Sequence, residues 1–129
     1  MPERAVKIPG PDHPITVTPN LKSVVVTLGG VVIADTTQAL TLQEASYPAV
    51  QYIPRADARM DLLERTASHT YCPYKGEASY FSIPAGGDRS VDAIWSYEEP
   101  YPAVAAIKGH LAFYPNRVDS IEELAAGQK

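Results

Sequence analysis

Ser23-Val-Val-Val-Thr-Leu-Gly-Gly-Val-Val-Ile-Ala-Asp35 decides the fold class. Two β-branched runs, Val24–Leu28 and Val31–Ala34, flank Gly29-Gly30. A two-residue Gly-Gly loop permits the positive φ angles of a tight hairpin, so this stretch is a β-hairpin. Asp35 follows directly, and its carboxylate either caps the turn or points into a pocket.

Working outward, the same period-2 signal recurs in short pieces. A short strand is expected at Ile15–Val17, within an N-terminal stretch (1–20) whose five prolines make an extended arm. Leu40 and Leu42 alternate with Thr41 and Gln43, which favours another strand. Val50–Ile53, Ala78–Ile83, Val91–Tyr97, Ala103–Ile107 and His110–Tyr114 read as further strands. Arg55–Met60 reads as a helical turn and Glu64–His69 as a polar loop. Ser120-Ile-Glu-Glu123 matches a capping box, which predicts a short C-terminal helix over Ile121–Ala126 with Gly127 at its end.

One pattern occurs twice. Tyr47-Pro-Ala-Val-Gln-Tyr-Ile53 and Tyr101-Pro-Ala-Val-Ala-Ala-Ile107 share YPAVxxI. Each follows a Gly-Gly turn, Gly29-Gly30 or Gly86-Gly87. The expectation is a mainly β single domain (1–129) built of two pseudo-repeated antiparallel units, with a ligand site between them.

Composition narrows the function classes. The formal charge of -4 offers no basic face for phosphate, so no nucleic-acid partner is expected. No run approaches the ~20 apolar residues of a membrane helix, and the N-terminus carries no apolar leader core. A single cysteine cannot close an internal disulfide, which fits the cytoplasm. There is no Walker or dinucleotide motif and no zinc-ligand spacing, so no cofactor or metal is expected.

The chemistry concentrates in Thr70-Tyr-Cys-Pro-Tyr-Lys-Gly-Glu-Ala-Ser-Tyr80. Cys72 is a candidate nucleophile or a small apolar filler. Lys75 is a candidate amine nucleophile, an anion-binding charge or a solvated lysine. Pro73 and Gly76 favour a turn that brings the two to one side. Arg59 either clamps an anion or pairs with a neighbouring Asp. His69 and His110 are weaker acid-base candidates.

These segments, with IADTTQAL upstream, YIPRADARMDLL between and AIWSYEEPYPAVAAIKGHLAFYPNRVD downstream, resemble the domain of unknown function 427 family over residues 23–119. The resemblance implies a small mainly β domain of the β-tent type, shared with methionine sulfoxide reductase B and the thalidomide-binding domain of cereblon. Those relatives hold zinc through two Cys pairs; with Cys72 alone, this chain departs from that pattern. Fold likeness does not carry activity across. The family's motif positions fall on Asp35, Tyr52, Asp57, Tyr71, Cys72, Lys75, Gly76, Trp95, Tyr97 and Tyr114. A nucleotidyltransferase label, sometimes attached to the family, needs paired carboxylates after a Gly-Gly turn; here Asp35 is followed by threonines.

The leading expectation is a small-molecule-binding or enzymatic pocket with Cys72 and Lys75 at its catalytic end. Asp35, Tyr52, Arg59, Tyr71, Tyr74, Trp95, Tyr97 and Tyr114 are the binding candidates. Its ligand would be anionic or carbonyl-bearing. The alternative is a non-catalytic module whose aromatic residues bind a peptide or protein.

Overall fold

In the computed structural model, which describes residues 5–125, β2 (Ser23–Leu28) and β3 (Val31–Thr36) form the expected hairpin. Gly29 and Gly30 have φ of 60° and 77°, the left-handed pair that a tight turn matching strand twist requires. A bulge after Val26 leaves Ile33 as the extra residue on β3. The carboxylate that caps the turn comes from Asp119, whose Oδ2 accepts from the Gly29 N–H at 2.7 Å. Asp35 instead stands mid-strand on β3, exposed, opposite Val25.

The free edge of β2 is covered by β10 (Ser120–Leu124), antiparallel. This corrects the helix expected there. Ser120 does not cap; its hydroxyl lies 2.5 Å from that of Thr27 across the ladder. A short helix is marginal by itself, whereas an open valine-rich edge offers backbone partners to an adjacent strand. The remainder of the expected helix, from Ala126, lies outside the described residues.

Two further sheets complete the domain. β1 (Ile15–Pro19), β4 (Leu40–Glu44) and β5 (Val50–Tyr52) form one, in the order β1-β4-β5. β6 (Glu64–Cys72), β7 (Gly76–Ser82), β8 (Ile94–Tyr97) and β9 (Ala112–Phe113) form the other, in sequence order. All pairings are antiparallel. The polar segment at Glu64–His69 is thus an edge strand rather than a loop. Its polar side chains are what an edge needs to stay out of unwanted pairing.

The four-stranded sheet is buried on both faces, and period-2 alternation divides its side chains between two cores. Phe81, Ile94 and Phe113 pack with Val24, Val26 and Ile33 from the β10-β2-β3 sheet. Their chain neighbours Tyr80, Trp95 and Ala112 face the other way, toward Leu42, Val50 and Tyr52 of the β1-β4-β5 sheet.

The pseudo-repeat is not reproduced. The first YPAV segment leads into β5, while the second forms 3-10 turns over Pro102–Ile107 and buries Val104 and Ile107. Gly86-Gly87 likewise sits in 3-10 turns, Pro84–Ser90, rather than in a hairpin. The shared letters fit two conformations because Val50 finds Leu42 across a ladder, whereas Pro102 sits at the first position of a helical turn.

One polar cluster ties the sheet's outer edge together. Arg65 makes a two-pronged ion pair with Glu98 at 2.9 and 2.6 Å, and Arg55 adds a third bond at 2.8 Å. Both guanidinium groups sit against the Phe81 ring, at 5.3 and 5.0 Å from its centroid. Arg65 is the main cause that holds the Glu98 carboxyl down at about 2, against 4.5 ordinarily. A depressed acid contributes stability above its unfolded value and loses it as pH falls through the folded value. Acid titration of stability between pH 4.5 and 2 is therefore expected to flatten in Glu98→Gln relative to the parent chain. Urea midpoints across that range check it; equal slopes in both proteins would refute it.

Candidate functional site

The facing surfaces of β1-β4-β5 and β6-β9 do not close completely. Between them lies a cavity of about 240 Å³. Register explains its walls. On β4, Leu42 and Glu44 share a face, and Leu42 stands opposite Val50 of β5, two residues before Tyr52. On the other sheet, Tyr80 opposes Trp95 and Ala78 opposes Tyr97, so three aromatic residues share one face. Tyr114 follows β9 onto that face, its ring 4.5 Å from that of Trp95. Tyr47 and Pro48 complete the lining.

Lys75 reaches the cavity because of the turn that precedes it. Cys72 and Gly76 pair across the β6–β7 hairpin, and the Lys75 N–H donates to the Cys72 carbonyl at 3.2 Å. Pro73 presets the first corner of this turn. Gly76 has φ of 111°, a backbone conformation that L side chains rarely adopt, so glycine suits the position. The Lys75 side chain, only 11% exposed, donates to Glu44 Oε1, and its ammonium lies 6.0 Å from the centre of the Tyr97 ring.

Glu44 is the hub. Its Oε2 lies 2.8 Å from His13 Nε2. An ionised carboxylate only accepts, so His13 carries its proton on Nε2. His13 stacks flat on Tyr74, ring centres 4.1 Å apart and planes within 7°. Burial pushes the Glu44 carboxyl up, but hydrogen bonds from Lys75 and His13 outweigh it and leave the group below its ordinary value. The pair is therefore ionic, with Lys75 a held cation.

The phenols remain protonated. Burial drives Tyr52 and Tyr97 far above the usual tyrosine range. Tyr114 is pushed up to about 12, by burial first and the Tyr80 hydroxyl second. Trp95 Nε1 donates to the Tyr52 oxygen at 3.1 Å.

The cavity thus collects Tyr52, Lys75, Trp95, Tyr97 and Tyr114 from the sequence-based candidates. The others lie elsewhere. Cys72 is half-buried and packs against the same aromatic cluster without lining the cavity. Tyr74 serves as the platform under His13. The Tyr71 hydroxyl donates to the Ala5 carbonyl and meets that of Tyr101 at 2.7 Å. Arg59 is exposed and makes a two-pronged pair with Asp61 at 2.9 and 2.7 Å, the structural alternative of its two readings. Asp57 accepts from Thr36 Oγ1 at 2.7 Å. His110 is half-buried, its Nδ1 by the Lys108 carbonyl, and His69 sits 3.8 Å from Glu77 on the β6 edge. Among the described residues, no group of three or more His, Cys, Asp or Glu is placed to hold a metal ion.

Glu44, His13 and Tyr47 were missed by the sequence reading. Glu44 had a legible signal: it continues the Leu40, Leu42 alternation, so an acid falls on the inward face. Nothing in the proline-rich first 20 residues singled out His13.

A family model described as a domain of unknown function (DUF427) matches residues 16–124. The chain belongs to this family. No curated protein matches the chain. The match to the DUF427 domain begins inside β1 and ends at the last residue of β10, so it takes in nearly all three sheets. His13 and Tyr47 fall on either side of that start: the first precedes the matched span and the second lies within it. No helix among the described residues is long and apolar enough to cross a membrane.

Proposed function

We propose that this DUF427 domain binds a small molecule in the cavity between its two facing sheets. One observation carries the reading: a largely buried Glu44–Lys75 ion pair opens onto a concave, aromatic-walled space. Burying an ion pair costs desolvation that a well-packed apolar pair would avoid, so its retention at a cavity wall favours a recognition role over a stabilising one. A concave site at Lys75, rather than a flat apolar face, also favours a ligand over a protein partner. At ~30 Å³ per water, the space equals about eight waters, which suits a compact ligand of one ring. The ligand is not a nucleic acid, given the net charge of -4. A reducing cytoplasm suits the lone cysteine.

The sole tryptophan, Trp95, lines the cavity and supplies a single reporter. In 15N-labelled protein, a mixture of one-ring fragments is expected to shift the Trp95 indole N–H resonance. The same shift is expected to vanish in a Val50→Phe variant, which fills part of the space and leaves Trp95 the sole indole. A fragment set that leaves the indole signal unmoved throughout would overturn the pocket reading.

A further inference from the structure

The hydrogen-bonding inventory of the cavity is one-sided. Tyr52 oxygen already accepts from Trp95, so its own O–H is the group left to donate, and it has no acceptor among the described residues. The Tyr97 hydroxyl has no hydrogen-bond partner among the described residues. Its oxygen is nonetheless not sealed off, because no buried side-chain oxygen or nitrogen lacks a partner. Lys75 carries three N–H groups, of which one is bonded to Glu44. Against these donors, both Glu44 oxygens are engaged, one by Lys75 and one by His13. The tyrosines stay protonated because burial opposes their ionisation.

Charge settles which acceptor fits. Lys75 and Glu44 cancel, so the lining of the cavity has no surplus cation. A ligand carboxylate would meet the Glu44 charge at close range with only an already-paired ammonium to hold it. A ligand ammonium would find only phenol oxygens left to accept from it, because both Glu44 oxygens are engaged. A carbonyl oxygen accepts two hydrogen bonds and brings no charge. The apolar sides of the space, Leu42, Pro48, Val50 and Trp95, suit a flat ring behind that oxygen.

We propose that the cavity takes a compact, neutral, ring-bearing carbonyl compound whose oxygen accepts two hydrogen bonds, one from the Tyr97 hydroxyl and one from the Tyr52 hydroxyl or the Lys75 ammonium. This rests on the pocket reading above and narrows it to one chemical class. Of the two ligand classes that the sequence left open, anionic or carbonyl-bearing, it keeps the second, because Arg59 is remote and Lys75 is neutralised.

Three ring-matched probes separate the classes: benzamide, benzoate and benzylamine, titrated at pH 7 against the Trp95 indole resonance. Benzamide is expected to bind about tenfold more tightly than either charged probe. Tyr97→Phe removes a hydroxyl with no protein partner, so the fold should be untouched. It is expected to weaken benzamide about three- to tenfold, as one lost hydrogen bond would, and to leave benzylamine unchanged. Tightest binding by benzoate or benzylamine would overturn the proposal, as would an unchanged benzamide affinity in Tyr97→Phe. If all three probes are silent while another fragment moves the indole, the carbonyl assignment fails and the pocket stands. If nothing moves it, both fail.

Discussion

Lys75→Met is expected to destabilise the domain by about 3–5 kcal/mol, the usual loss when one partner of a buried ion pair is removed. Lys75 and Glu44 side chains are 11% and 15% exposed, so solvent screens little of their interaction. Methionine fills much of the lysine's volume, which isolates the charge from the packing. What remains is a buried carboxylate with His13 as its one remaining partner. Against a total stability of about 5–15 kcal/mol, that is a large fraction. The deficit should depend on pH. In the parent chain Glu44 sits below its ordinary 4.5, so its contribution is present above that value and fades as pH falls. In the variant the carboxyl is raised, and protonation relieves it, so the gap between the two proteins narrows toward pH 4. Lys75→Met/Glu44→Gln, which removes the charge and keeps an acceptor for His13, should recover most of the loss. Urea unfolding of all three proteins at pH 7 and pH 4 tests this. A single variant as stable as the parent at pH 7 would show that the pair contributes nothing.

Gly86→Ala should be nearly as damaging for a purely steric reason. A Cβ at position 86 would lie 2.0 Å from Ser90 Oγ, 2.6 Å from Ser90 Cβ and 2.9 Å from Leu28 Cδ2. Ser90 is fully buried, and its hydroxyl donates to the Arg117 carbonyl at 2.7 Å. Rotating that hydroxyl would abandon the bond and still leave the Cβ–Cβ clash. The 3-10 turns of Pro84–Ser90 must therefore shift. A cost of about 3 kcal/mol, at the upper end of overpacking, is expected, and a fall in Tm on the order of 10 °C. Gly87 is the control. Its φ is 61° but no heavy atom lies within 4 Å of an added Cβ. Gly87→Ala meets no clash and should cost only the strain of its glycine-favouring backbone, φ 61° and ψ -145°, about 1–3 kcal/mol. Equal losses at both positions would mean that the Ser90 contact is not the cause.

Much of the fold was readable where a local rule acts alone. The Gly29-Gly30 hairpin needs only two positive φ angles and flanking β-branched runs, all visible in thirteen consecutive residues. The β6 edge and β10 were misread because their partners decide them. Glu64–His69 is polar enough for a loop until β7 lies beside it, and Ser120–Glu123 looks like a helix cap until β2 presents an open edge. The site divided the same way. Lys75 and the aromatic residues stood out by type and by the turn that carries them. Which of them share a wall depends on cross-strand register, such as Tyr80 opposite Trp95, and one residue of slip would have turned each to the opposite core. Tyr71 and Tyr74, equally prominent in sequence, point instead to Tyr101 and His13.

The alternation along β8 has a practical corollary for anyone redesigning this domain. Ile94 is locked into one core while Trp95, next in the chain, and Tyr97 border the empty space. A combinatorial library confined to the odd-numbered positions 95 and 97 would vary the walls of the proposed site and leave Ile94 in the other core unchanged. Substitution at Ile94 would do the reverse, whereas the buried Ser96 accepts from Arg55 and belongs to neither apolar core. Selectivity and robustness can thus be evolved along separate, interleaved sets of codons.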